Sequence, residues 1–521
     1  KAEHQKHDGN KLINLFCKPA PDNRKVNRYT RDNKPAEWEA FIRYAINDIH
    51  AMRQLYYKIP HHNIKGTEKD LWMLDQKIND RGIPIDTNLV EAALELVTTQ
   101  QTKLDDKMRE VSGGEIDSTS AVQQIKNYLL KRGYAVASLD QAYVLAMLTE
   151  ELPEEVREVL ELRRQAGRTS TSKYVKIRDT VSVDGRLRGC LQFYGARTGR
   201  WSGRNLQPQN LPRGSVRSDV GAAAILNGVA HELYDDVLEL ASSCVRSVIC
   251  AGEGKQLIVA DLANIEGRVL AWLAGEEWKL QAFRDYDAGA GPDLYKLAYA
   301  KSFDIPPEEV TKAQRQVGKV MELALGYQGG AGAFGVMAKG YGVDLEEEAI
   351  AEIIQSWRKA HPRTRAFWYQ TQTLVEQAIR SPEQSYRYRG IVACVYGEQL
   401  YIKLPSGRYI IYQKPGFKNK ELHFYGLGFS RKFEKILTYG GKLVENITQA
   451  VARDIIAYPM PLIEEAGYTI VLTVHDELVC EVDQGAGLTK EGLCSLMTAP
   501  MPWTEGLPLA AEGYTAERYR K

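Results

Sequence analysis

Val474-His475-Asp476-Glu477 lies between two runs rich in apolar and β-branched residues, Tyr468–Val474 and Glu477–Val482, and reads as a tight turn with His475 and Asp476 at its tip. A second acidic stretch lies far upstream. It is Asp261-Leu262-Ala263-Asn264-Ile265-Glu266-Gly267-Arg268, directly after the apolar run Leu257-Ile258-Val259-Ala260. That run predicts a buried strand delivering Asp261 at its end. If the two strands are neighbours, the carboxylates of Asp261 and Asp476 converge. Hard oxygen ligands of this kind suit divalent cations such as Mg2+. Two such ions roughly 3.5–4 Å apart can stabilise both the attacking and the leaving oxygen of an in-line phosphoryl transfer. A lone Asp after a strand is ordinarily a turn or cap residue. The ordered pair is what points to chemistry.

Between the two acidic points lie Arg315, Lys319 and Tyr327, at i, i+4 and i+12. On a helix these fall within about 40° of a common face, with Leu323 completing the stripe. Two cations followed by an aromatic can hold phosphates and stack near a base. Gly326, Gly329 and Gly330 permit the end of such a helix to hinge or to approach a base closely. Alone, this segment is an amphipathic surface helix. Bracketed by Asp261 and Asp476, it completes what a template-directed nucleotidyl transfer requires.

The bulk numbers fit that reading. A chain of 521 residues exceeds one core, so two to four domains are expected. Hydrophobic content of 44% and charged content of 26% are ordinary for a globular protein. No stretch of about 20 apolar residues exists, so no membrane span is expected, and no secretory signal is visible. The first residue is Lys1, not a methionine, and a fragment is the expectation. Seven cysteines, at 17, 190, 244, 250, 394, 480 and 494, form no CxxC pair, which suits reduced thiols in a cytoplasmic protein. His61-His62 reads as a solvated turn. The net charge of +1 hides an asymmetry: residues 163–217 carry 13 Lys/Arg against only Asp179 and Asp184, so this segment is +11 and the remainder −10. Such a basic stretch points to a polyanionic partner.

Along the chain, Trp38, Phe41, Tyr44, Ile49 and Leu55 follow helical spacing until Pro60-His61-His62-Asn63. Residues 66–180 read as mostly helical. Thr67 opens one helix, Asp86 or Thr87 caps the next with Leu89, Ala92, Leu96 and Leu104 on one face, and a helix from Ser120 stops at Gly133. Residues 181–260 read as strands and loops. Residues 305–380 read as helical, starting at Pro306-Pro307-Glu308-Glu309, and 385–412 as a hairpin around Leu404-Pro405-Ser406-Gly407-Arg408. Residues 441–466 read as helical again.

The residues 261–268, 315–327 and 474–477, in this order, resemble motifs A, B and C of family A DNA polymerases. The likeness runs from about Leu162 to the C-terminus. Thr198-Gly199-Arg200-Trp201-Ser202, with Asn205-Leu206-Gln207-Pro208-Gln209-Asn210-Leu211-Pro212, resembles a further stretch of that family, as does Asn446-x-x-Gln449 with Arg453-Asp454. The resemblance implies a right-hand fold, a palm with an antiparallel sheet and helical fingers and thumb, preceded by the tail of a 3′–5′ exonuclease-like domain. The expected divisions are an exonuclease remnant over 1–62, thumb over 63–180, palm over 181–304, fingers over 305–437 and palm again over 438–521.

The same resemblance implies the roles. Asp261 and Asp476, with the Leu262 backbone carbonyl, hold two Mg2+ ions, for which Mn2+ can substitute. Arg315 and Lys319 bind the triphosphate of a dNTP, with Lys319 the general acid for pyrophosphate. Tyr327 closes over the nascent pair and Glu266 is the steric gate against a ribose 2′-hydroxyl. Arg200, Asn205, Gln207, Gln449, Arg453 and His475 face primer–template DNA, and Arg268 is structural. Leu323 stands where an aromatic is usual, which leaves dideoxynucleotide discrimination open, and Gln328 stands where many members have Gly. These departures look most like phage-encoded members, acting in the cytoplasm of a bacterial host with replisome partners. Tyr44-x-x-x-Asp48 resembles the third exonuclease motif. The other two are absent from this sequence, so no editing by this chain is expected. A single-subunit RNA polymerase and a catalytically inactive nucleic-acid-binding protein are the rival readings. Glu266 and Asp476-Glu477 speak against the first, and the intact set of site residues against the second.

Overall fold

The computed structural model describes residues 6–20, 26–59, 65–167, 171–212, 214–419, 421–428 and 430–520. The turn expected at His61-His62 lies outside them. The chain divides into two compact units, Lys1–Gly66 and Thr67–Lys521.

In the first unit, helices Lys6–Cys17 and Pro35–Lys58 meet through an aromatic cluster. The Phe16 ring stands edge-on to Trp38 at 5.1 Å and stacks on Phe41 at 5.4 Å. Tyr44 and Asp48, one turn apart on the second helix, are hydrogen-bonded, and this bond raises the phenol's pKa.

The larger unit is built on a four-stranded antiparallel sheet. Its order across the sheet is Thr469–Val474, Glu477–Asp483, Lys255–Leu262, Ala511–Ala516. The apolar run Leu257–Ala260 is fully buried because helices cover the sheet, and the charged residues fall at the strand ends. Register is pinned by polar locks at the rim. Arg81 forms a two-pronged pair with Glu464 at 2.7 and 2.8 Å, and Arg186 reaches the buried Glu481 at 2.9 Å.

Residues 67–178 form the helical part, with helices Thr67–Arg81, Thr87–Val111, Val122–Lys131, Gln141–Leu148, Glu154–Ala166 and Ser172–Arg178. Asp86 caps the long second helix by accepting from the Leu89 N–H. The buried face of that helix runs through the expected Leu89 and Leu104 with Val90, Ala93 and Leu94 between them, while the expected Ala92 and Leu96 are half-buried at its edge. Its far end, with Met108, Ile125, Tyr128 and Leu160, belongs to a separate small core.

Three expectations are corrected here. Residues 181–260 are not only strands and loops: Ser218–Leu226, Ala230–Leu233 and Val237–Cys244 are helical. Asp236 caps the last of these, and its face packs against Thr87–Val111. Pro306–Glu309 does not open the basic helix. It gives a single 3-10 turn, and the helix Lys312–Leu325 is opened by Thr311, whose side chain and that of Gln314 cap reciprocally. The hairpin near 404–408 is the middle of a six-stranded antiparallel meander from Tyr386 to Thr438.

Helices Glu277–Asp287, Lys312–Leu325 and Glu347–Ala360 meet around a buried charged group. Glu322 pairs with Lys279 and accepts from the Trp357 indole at 3.3 Å, and His361 stacks on Trp357 at 4.0 Å with Nε2 3.6 Å from Glu322. Burial, reinforced by Lys279, pushes the His361 pKa down to about 3 from 6.5. The unfolded chain therefore takes a proton at this position below about pH 6.5 that the folded chain refuses until about pH 3. Stability present above pH 6.5 is lost as pH falls through this window. For Glu322, burial alone would raise the pKa, but the Lys279 charge and the hydrogen bonds from Lys279 and the Trp357 indole help to turn the net shift downward, so its contribution also fades on acidification below 4.5. Replacing His361 with Phe keeps the stack and removes the titration. The fall in Tm between pH 7 and pH 4.5 is expected to be smaller by several degrees in that variant, on the order of 1–3 kcal/mol. An equal fall in both proteins would contradict this assignment.

Candidate active site

The sheet register brings the two acidic points together. Asp261 lies opposite Glu477 on one neighbouring strand and opposite Glu512 on the other. The Leu262 N–H donates to the Asp476 carbonyl at 3.0 Å, so the end of one strand is tied to the turn of the hairpin. In that turn His475 takes a left-handed φ of 56° and is exposed, which leaves Asp476 at the rim, half-buried. Glu477 points inward, and its carboxylate accepts from the Tyr519 hydroxyl in the core.

Glu266 sits in the first turn of helix Ile265–Ala274, entered through Asn264 at φ 49°. Its carboxylate is held from two sides, by Arg200 at 2.7 Å and by the Tyr327 hydroxyl at 2.9 Å. Arg200 also reaches Asp476 at 3.3 Å. One guanidinium thus joins the Glu266 carboxylate to that of Asp476. Burial first, then Glu266, pushes the Tyr327 phenol well above its ordinary range. Arg268, 1% exposed, forms two 2.6 Å bonds with Asp287 and stacks on Phe283, which anchors the helix carrying Glu266.

Arg315 and Lys319 project from one side of Lys312–Leu325, as the spacing predicts. Arg315 pairs with Asp293 at 2.8 Å over the Tyr295 ring, and the Lys319 ammonium lies 4.6 Å above Tyr341. Burial acts to raise the Asp293 pKa, but the Arg315 hydrogen bond and charge, together with the Lys296 and Tyr295 N–H donors, outweigh it and the net shift is downward. Leu323 is 43% exposed on the same helix. Tyr327 departs from expectation: the helix ends at Leu325, so Tyr327 reaches Glu266 from the following turn and not from the stripe. The left-handed residue of that turn is Gln328, at φ 66°, and not one of the glycines. Its side-chain oxygen accepts from the Gly441 N–H at 2.9 Å and fixes the turn to the start of helix Gly440–Ala457.

The remaining expected DNA contacts separate into two groups. Asn205 and Gln207 are exposed loop residues, both at positive φ, with Asn205 donating to the carbonyls of Arg188 and Gly189. Gln449 is half-buried on helix Gly440–Ala457, 3.5 Å from Glu445. Arg453 does not join them. It is 1% exposed, paired with Glu68 and Asp454 and packed against Phe193, Tyr194 and Trp201, so it holds the helices together and presents nothing to a ligand. Sequence reading also missed Arg408. Its guanidinium is buried against Asp454 at 2.6 Å and donates to the carbonyls of Thr198 and Ala450, which fixes the loop carrying Arg200. The hairpin signature gave its position but not its partner.

The sequence profile of DNA polymerase family A matches residues 87–520. The chain belongs to DNA polymerase family A. A DNA polymerase of Bacillus phage SP02 is 36% identical over 98% of this chain and 80% of its own length. DNA polymerase I of Pseudomonas aeruginosa is 28% identical over 51% of this chain, which spans 25% of that protein. Among solved structures, the polymerase domain of Pol1 from M. smegmatis, in complex with DNA primer-template and dNTP, superposes with a TM-score of 0.59 at 20% identity. It covers 87% of this chain and 69% of its own, and shows the shared fold.

The donor set tests whether divalent ions, general to the family, fit here. Among the described residues no three His, Cys, Asp or Glu side chains form a ready metal cage. Two carboxylates at adjoining positions remain, Asp261 and Asp476, both oxygen donors, and Asp476 pairs with the Arg200 guanidinium. A site that attracts an internal cation through Asp476 and Glu266 suits hard external ones.

Proposed function

We propose that the chain is a DNA-directed DNA polymerase that extends a primer 3′-hydroxyl with dNTPs on a DNA template, in the replication of a phage genome. The observation that supports this best is the juxtaposition of Asp261 and Asp476 across the sheet, with Arg200 linking Asp476 to Glu266. In this reading Asp261, Asp476 and the Leu262 carbonyl hold two Mg2+ ions. When bound, the ions stabilise the attacking and leaving oxygens of phosphoryl transfer. Arg315 and Lys319 neutralise the triphosphate, Arg315 exchanging Asp293 for phosphate oxygens, and Lys319 protonates the leaving pyrophosphate. Glu266, backed by Tyr327, forms the wall against the sugar's 2′ position. Arg200, Asn205, Gln207, Gln449 and His475 line the path of primer and template, and Leu323 borders the nucleotide.

The domain reading follows: 63–180 as thumb, 181–304 and 438–521 as palm, 305–437 as fingers, and 1–62 as exonuclease remnant with Tyr44 and Asp48. No described helix is long and apolar enough to cross a membrane. A bacterial host's cytoplasm and replisome partners belong to the same proposal. Metal removal tests it. Extension of a labelled primer in Mg2+ should stop on adding excess EDTA and return on restoring Mg2+, with Mn2+ as a working substitute. Extension that persists in EDTA would exclude the metal-dependent mechanism.

A further inference from the structure

The six-stranded meander is more than the clamp that Arg408 makes of it. Residues 386–438 hold ten Lys/Arg against Glu398, Glu421 and Glu434, a net charge of +7 in a chain of +1. Among the described residues, only Arg408 of these cations is buried and spent on a core partner. Alternation along the strands divides the sheet into two faces. Leu400, Ile402, Ile410, Tyr412, Leu422 and Phe424 are buried on the inner one. The outer face carries Tyr401, Tyr409, His423, Tyr425 and Phe433 instead of the small polar residues a solvated face usually has. Ring neighbours repeat at similar spacing: Tyr401 to Tyr409 at 6.1 Å, His423 to Tyr425 at 6.4 Å and Tyr425 to Phe433 at 6.0 Å. The register sets a cation beside an aromatic twice, Lys403 opposite Tyr409 and Lys435 opposite Tyr425. Phe433, on the edge strand, is 58% exposed.

We infer that this outer face binds single-stranded DNA, the template segment not yet copied. Resting on the polymerase reading, the inference names which part of the substrate the sheet takes. Aromatics on an antiparallel sheet, half-buried at Tyr401, Tyr409, His423 and Tyr425 and exposed at Phe433, can stack only on bases that are free of a duplex, and interleaved lysines follow the backbone. Excess positive charge complements a polyanion and disfavours a second copy of this basic face. The sheet is also fixed to the site. Tyr412 accepts from Asn446 at 2.9 Å, Arg197 lies 4.1 Å over Phe424, and Arg408 holds the Thr198 carbonyl two residues before Arg200. A strand held on the sheet is therefore held at a set distance from the carboxylates.

The test uses the whole chain, fluorescence anisotropy and three probes: labelled oligo-dT, a primer–template with a template overhang of about 20 nucleotides, and one with an overhang of about two. Tyr425→Ala/Phe433→Ala should weaken oligo-dT and long-overhang binding about tenfold or more. Lys403→Glu/Lys435→Glu should weaken the same two and flatten the salt dependence by about 0.7 per lost phosphate contact. Short-overhang binding and extension should match wild type, which also shows that both variants are folded. Unchanged oligo-dT binding in both variants overturns the inference, as does equal loss on long and short overhangs. A wild-type dimer that both variants dissolve would assign the face to a second copy and overturn it as well. If wild type binds oligo-dT through this face but extends no primer, the polymerase reading fails while the sheet's assignment survives.

Discussion

Glu266→Ala is expected to raise the use of rNTPs relative to dNTPs by on the order of 10²-fold, measured as the ratio of kcat/KM values. The expectation comes from how rigidly the carboxylate is held. Arg200 grips one oxygen at 2.7 Å and the Tyr327 hydroxyl the other at 2.9 Å, so the side chain cannot swing aside to admit a 2′-hydroxyl. A missing methylene in a pocket discriminates by only about 10–200-fold, and a charged wall fixed on both sides should reach the upper part of that range. Alanine opens the space but also releases Arg200 and leaves the Tyr327 hydroxyl without its acceptor, so dNTP incorporation should slow too. The ratio, not either rate, is the observable. Tyr327→Phe keeps the ring and removes one of the two restraints, and should give a smaller increase. An unchanged ratio in Glu266→Ala would place sugar selection elsewhere and require a new alignment of residues 261–268.

What the sequence made legible depended on local period and on strand ends. The apolar run 257–260 and the apolar, β-branched runs within 468–482 each specify a strand. Their pairing then follows from chemistry, since two acidic ends make sense only side by side. Asp86 stood where it caps its helix, and Thr67 is the residue at which the preceding helix begins. The helices within 218–244 were harder to read because Gly221, Gly228 and scattered alanines blur the periodicity, and their apolar face is set by a partner helix distant in sequence. Tyr327 was placed on the stripe because spacing alone cannot show that Gly326 ends the helix with ordinary φ and that Gln328 takes the left-handed turn. Arg453 and Arg408 look alike in sequence to Arg200. Only packing distinguishes a guanidinium sealed between aromatics or against Asp454 from one that reaches the half-buried Asp476 at the sheet's rim. The alternation over 385–412 was legible as a hairpin, but the extent of the sheet to Thr438 and the sorting of rings onto one face required the register.

The central claim is that Asp261 and Asp476 serve the chemical step and not the binding of DNA. Single-turnover extension and gel shift on Asp261→Asn and Asp476→Asn test it together. Asn keeps the shape of Asp, and the bond from the Leu262 N–H to the Asp476 carbonyl is between backbone groups, so the turn survives either change. Asp476→Asn also removes one of the two anionic partners of Arg200, while Glu266 keeps it in place. Charge held for the metals is lost, whereas the basic surface that holds DNA is untouched. The expected result is a fall in extension rate of about 10³-fold or more, roughly 4 kcal/mol of barrier, with primer–template affinity within a few-fold of wild type. Extension at the wild-type rate by either variant, or a loss of DNA binding as large as the loss of rate, would contradict the account.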